Sequence, residues 1–291
     1  MSQHVNKLNK PILIVAKELQ EALRSPRTVV IDCRFDLGDP TAGRRAYEHG
    51  HVPGAVFLDL DKDLAGPVTA MTGRHPLPDP DELSRTLGQL GISRAHELVV
   101  YDGSHGGIAA RAWWTLRWLG HDQVRLLDGG LAAWMKLDLP LEPGSATRDP
   151  VEYSPSIRHE LVLTTDQLAK AGEGIAAFNL FDARDAARFR GENEPIDPVA
   201  GHIPHTRSLP FTDFVNDDGT WQPLSERASR LSRALGGEQD LEWSVMCGSG
   251  VTACHLAISG LEAGFREPRL YVGSWSEWIR DPGRRIATGE E

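Results

Sequence analysis

The stretch EWSVMCGSGVTACHLAISGLEAGF, residues 242–265, decides the fold: a short apolar run ends in Cys247, three small residues follow, and a helix-like pattern starts at once. An earlier stretch, ELVVYDGSHGGIAARAWWTLRWLGH at 97–121, follows the same plan with Asp102 in the place of Cys247. The similarity continues on both sides. TVVIDCRFD, GHVPGA and VRLLDGGLAAW in the first half answer to NLFDARDAARF, GHIPHT and RLYVGSWSEW in the second. Asp32 and Asp182 stand 150 positions apart and Gly50 and Gly201 151 apart. Landmarks in one order at a near-constant offset mark an internal duplication.

Each copy alternates short Val, Leu and Ile runs with longer helical patterns, which predicts an α/β fold of two tandem units, each a mainly parallel sheet flanked by helices. The first unit is expected over 10–140 and the second over 161–283. Between them, 141–160 is rich in proline and without periodicity, and reads as a linker. Only the second copy carries a nucleophile at the strand end, so the first is expected to be non-catalytic.

The net charge of −10 argues against a nucleic-acid binder, which gathers Lys and Arg on one face. No apolar run is long enough to span a membrane, and Pro11 to Ala16 is too short for a signal-peptide core, so a cytoplasmic protein is expected. Cys33, Cys247 and Cys254 lack CxxC spacing; three free thiols, no metal and no cofactor are expected.

A cysteine at the carboxyl end of a parallel strand, just before a helix, sits where α/β folds bind ligands. Unpaired loop amides and the helix dipole favour its thiolate, and Gly248, Ser249 and Gly250 let those amides curl into an anion-holding nest open to solvent. Cys33 matches Ala183 in the other copy and Cys254 lies within the helix, so both read as core residues. GSGVTA fits a dinucleotide fingerprint, yet no acidic residue follows at the next strand end. A cysteine phosphatase loop needs Arg six positions on, where Ala253 stands.

CGSGVTA, the paired GHVPGA and GHIPHT, RFRG and the closing GSWSEW together resemble the rhodanese superfamily, in its tandem-domain group of 3-mercaptopyruvate and thiosulfate sulfurtransferases. The resemblance spans about residues 10 to 280. It implies that Cys247 takes sulfur from a donor, carries it as a persulfide and yields it to a thiol or cyanide, with a thioredoxin-like reductant as a further partner. Gly248, Ser249, Gly250, Val251 and Thr252 would form the cradle, and Ser249 would join Asp61 and His75 in a polar triad and donate to the donor's ketone. The neutral loop favours 3-mercaptopyruvate over dianionic thiosulfate, so Gly248→Arg with Ser249→Lys is expected to shift the preference. Arg188 maps to one carboxylate-binding arginine. The second has no counterpart between Arg190 and Arg207, which leaves Arg190 as its substitute or the donor less tightly held. A thiosulfate-preferring rhodanese and a persulfide carrier serving a protein partner are the alternatives. His205 and Val272 depart from the family pattern.

Overall fold

The structure, a computed structural model, describes residues 10–290. The first unit contains strands β1 (Leu13–Ile14), β2 (Thr28–Asp32), β3 (Val56–Phe57), β4 (Glu97–Tyr101) and β5 (Val124–Leu127). The second contains β6 (Val162–Leu163), β7 (Leu180–Asp182), β8 (Arg207–Ser208), β9 (Ser244–Met246) and β10 (Arg269–Tyr271). Among the described residues these form two five-stranded sheets, ordered β1-β5-β4-β2-β3 and β6-β10-β9-β7-β8, with every pair parallel. The expected α/β architecture is therefore present twice.

The duplication extends to register. Asp32 pairs with Tyr101 and Asp182 with Met246, so Asp102 and Cys247 leave equivalent strands at equivalent points. It extends also to side chains. Arg34 grips Asp32 through Nε and Nη2 and donates to the Gly50 carbonyl, and Arg184 repeats each contact on Asp182 and Gly201. His51 stacks on Tyr47 and His202 on Phe189, each with Nδ1 on the carbonyl of its stacking partner. Both histidines are structural, as their turn positions suggest. His205 takes φ +65° where Gly54 takes +73°, which explains why glycine suits that position.

The units meet through the helices that follow β4 and β9. Helix Gly107–Trp118 packs against helix Ala253–Glu262, and each is apolar nearly all round because each is covered by its own sheet and by the other helix. Residues 141–158 hold no helix or strand. They run along the first unit, where Val151, Ser156 and Arg158 donate N–H groups to the carbonyls of Gly88, Leu119 and Trp118.

Candidate active site

The loop after β9 is fixed by the GSWSEW turn. The Cys247 N–H donates to Ser274 Oγ at 3.1 Å, and the carbonyls of Cys247 and Gly248 accept from the N–H groups of Trp275 at 3.0 Å and Ser276 at 2.9 Å. At Gly250, φ is +72° and an added Cβ would lie 2.5 Å from the Val272 carbonyl oxygen, so only glycine fits. Among the described residues, the N–H groups of Gly248, Ser249, Gly250, Val251 and Thr252 meet no protein acceptor. Five consecutive unsatisfied donors before a helix form a place for an anion.

The first unit shows what such a place holds. There the Asp102 carboxylate accepts from the N–H groups of Ser104, Gly106, Ile108 and Ala109 at 2.9–3.1 Å. Its loop carries a fixed internal anion; the second unit places the Cys247 thiol at the equivalent point.

Cys247 is only 2% exposed, which corrects the expectation of a solvent-facing sulfur. The first unit docks beside this loop. Thr72 to His75 lie across the second unit, with the Gly73 N–H on Glu277, the Arg74 N–H on Ser276 Oγ and the Thr72 carbonyl on Arg280. Cys33 and Cys254 are buried core residues as expected, and burial pushes both thiols up, leaving them protonated near neutral pH.

This docking brings Ser249, His75 and Asp61 together. His75 Nδ1 lies 2.8 Å from Ser249 Oγ and its Nε2 lies 3.3 Å from Asp61 Oδ1. Burial, then Arg111 and Arg74, lower the His75 pKa to about 3, so the ring is neutral at neutral pH. With Asp61 ionised, Nε2 carries the hydrogen and Nδ1 accepts from the Ser249 hydroxyl. In this arrangement the Ser249 hydroxyl hydrogen is directed to His75, and its oxygen lone pairs are left to accept.

The arginines differ from expectation as well. Arg188 does approach the loop, but Arg190 pairs with Glu192 and Glu290 and does not converge on it. Beside Arg188 the structure places Arg74, whose Nη2 lies 2.9 Å from where a Gly248 Cβ would be. A Gly248→Arg exchange would have to displace this guanidinium, the flexible end of the Arg74 side chain. Asp197 bridges Arg74 and Arg188, while Glu194 holds Arg188. Sequence reasoning missed Arg74, Glu194 and Asp197; the only local signal is that Arg74 precedes His75.

Arg111, fully buried on helix Gly107–Trp118, adds a cross-link between the units. Its Nη1 donates to the Gly250 carbonyl at 2.8 Å, and its Nη2 to the carbonyls of Leu64 and His75 at 3.2 Å. The first unit thus fixes the cradle from below as well as covering it.

Buried neutral histidines make stability depend on pH. His75 is lowered to about 3 and His121 to about 4, chiefly by burial, and burial, then Arg227 and His105, push His255 well below its ordinary range. Below about pH 6.5 the unfolded chain takes up protons that the folded chain refuses, so stability falls with pH by up to ~1.4 kcal/mol per pH unit per histidine. Asp61, Asp63, Asp128 and Asp197 are raised, chiefly by burial, and oppose this trend at more acidic pH. Urea midpoints are expected to drop between about pH 7.5 and about pH 5.5. An unchanged midpoint would contradict the neutral, buried state of these rings.

Residues 15–137 and 164–281 each match the family model of the rhodanese-like domain, and the chain belongs to the rhodanese family. It is 48% identical over 280 residues to a Pseudomonas aeruginosa protein described as a "probable 3-mercaptopyruvate sulfurtransferase", covering 96% of this chain and 98% of that one. Human 3-mercaptopyruvate sulfurtransferase is 36% identical over 283 residues, covering 91% of each chain. SseA from Escherichia coli, described as a 3-mercaptopyruvate sulfotransferase, superimposes with a TM-score of 0.80 at 31% identity, over 92% of this chain and 100% of that one.

Proposed function

We propose that this enzyme is a sulfurtransferase that takes sulfur from 3-mercaptopyruvate, holds it as a persulfide on Cys247 and passes it to a thiol or cyanide. The observation that carries the reading is the run of five unsatisfied N–H groups from Gly248 to Thr252 beside the Cys247 thiol. The names of the relatives point to the same donor.

In the first step the Cys247 thiolate attacks the donor's sulfur, a sulfur–sulfur bond forms and the carbon–sulfur bond breaks. The electron pair of the broken bond passes to carbon as the enolate of pyruvate. The donor's thiol proton moves to Ser249, whose own proton moves to His75, and a proton returns to the enolate carbon to give pyruvate. The persulfide's terminal sulfur is anionic, and the cradle's N–H groups receive it. An acceptor thiolate then attacks that sulfur and releases the Cys247 thiolate. Gly248, Gly250, Val251 and Thr252 contribute backbone rather than side chains to this chemistry.

Charge supports the donor preference. Arg74 and Arg188 are matched by Asp197 and Glu194, so the site offers a compact dianion little net positive charge. The ratio kcat/KM is expected to be at least about tenfold higher for 3-mercaptopyruvate than for thiosulfate in a cyanide assay. A higher value for thiosulfate would refute the preference. A cytoplasmic location and a thioredoxin-like reductant on the acceptor side belong to the same proposal; among the described residues no helix is long and apolar enough to cross a membrane.

A further inference from the structure

We propose that Arg74, contributed by the first domain, binds the carboxylate of the α-keto acid donor through its Nε and Nη2 edge. This assignment rests on the sulfurtransferase reading and deepens it.

The guanidinium edges already in use single out Arg74. Arg34 and Arg184 show how this chain holds carboxylates: Nε and Nη2 together grip Asp32 and Asp182. Arg188 has committed that same edge, with Nε on both Glu194 oxygens at 3.1 Å and Nη2 on Glu194 and Asp197. Arg74 has not. Its Nη1 is taken by Asp197, its Nε is buried without a partner, and its Nη2 meets no acceptor among the described residues. The side chain as a whole is 24% exposed, and the buried Nε is costly to leave unsatisfied unless a ligand completes the fork.

Position and rigidity add to this. The unpaired Nη2 lies 2.9 Å from the Cβ position of Gly248, the residue that follows Cys247, and Gly248 leaves that space open. The Arg74 backbone is fixed by Ser276 of the second domain, the preceding Gly73 would place a Cβ 2.6 Å from the Gly273 carbonyl oxygen, and the following His75 is tied to Ser249. Asp197 orients the guanidinium from its far end. The fork is thus held beside the residue that follows the nucleophile, with its backbone tied to the second domain.

The test compares Arg74→Gln, Arg74→Lys and Arg190→Ala in steady-state assays with 3-mercaptopyruvate, with pyruvate as product inhibitor. KM and the pyruvate inhibition constant are expected to rise together by roughly ten- to a hundredfold in Arg74→Gln, with kcat changed much less. Arg74→Lys, which keeps the charge and loses the fork, should fall between it and wild type. Arg190→Ala should match wild type. A second measurement loads the persulfide with thiosulfate and follows its discharge to cyanide, a step without a carboxylate donor; its rate in Arg74→Gln should equal that of wild type. The assignment is overturned if KM and pyruvate inhibition stay unchanged in Arg74→Gln, or if discharge and kcat fall together with KM. Failure of the wild-type enzyme to form any persulfide from 3-mercaptopyruvate would overturn the functional reading, and this assignment with it.

Discussion

Replacing Cys247 by Ser is expected to abolish sulfur transfer from 3-mercaptopyruvate and from thiosulfate alike, by roughly a thousandfold or more, while the protein stays folded. The hydroxyl is smaller than the thiol and keeps the backbone contacts that hold the loop, since those run through the Cys247 N–H and carbonyl to Ser274 and Trp275. It is, however, a far poorer nucleophile at neutral pH and cannot form a persulfide. Cys33 and Cys254 offer no substitute, because burial keeps both protonated. Residual turnover within about tenfold of wild type, in a variant with an unchanged unfolding midpoint, would place the chemistry on another residue.

The second large effect is on stability. Arg184→Ala is expected to cost about 3–5 kcal/mol, because it leaves Asp182 charged, fully buried and without its cation. The same change also removes a 3.3 Å contact to Glu194 and a guanidinium stacked 4.8 Å from the Trp275 ring centre. The duplication supplies a comparison. Arg34→Ala removes the equivalent grip on Asp32, but Asp32 retains the Tyr101 hydroxyl as a donor at 2.6 Å, and Asp182 faces Met246 instead. The loss for Arg34→Ala should therefore be smaller. Equal losses in urea unfolding would show that Tyr101 does not compensate.

The fold was legible because the chain is written twice. The alternation of Val, Leu and Ile runs with helical patterns pointed to the α/β class, and matching strand ends at Asp32 and Asp182, and at Asp102 and Cys247, showed the unit twice. The two-residue strands β1, β3, β6 and β8 are too short to carry a periodicity of their own and emerge only as partners of longer strands. Cys247, Ser249 and the glycines were legible because strand, loop and helix are contiguous in sequence. Asp61 and His75 entered through resemblance alone, since nothing local links them to a loop some 170 residues away.

What sequence could not show is the product of docking. The convergence of Arg74 with Arg188 and of His75 with Ser249 both require the first domain to lie on the second, a contact that no single-chain periodicity encodes. Arg190 was a reasonable substitute by position in RFRG. Two residues along a helix, however, point about 200° apart, and Arg190 turns towards Glu192 and Glu290 while Arg188 faces the loop. The direction of the Ser249 hydroxyl likewise depends on His75 being neutral, which follows from burial and from Arg111 and Arg74 rather than from residue type.

Mass spectrometry of the intact protein and its peptides, after brief incubation with 3-mercaptopyruvate and no acceptor, tests the central claim most directly. One added sulfur on the peptide carrying Cys247, lost on addition of cyanide, is the predicted result. An unmodified Cys247 peptide, or sulfur carried only by the peptides of Cys33 or Cys254, would contradict it.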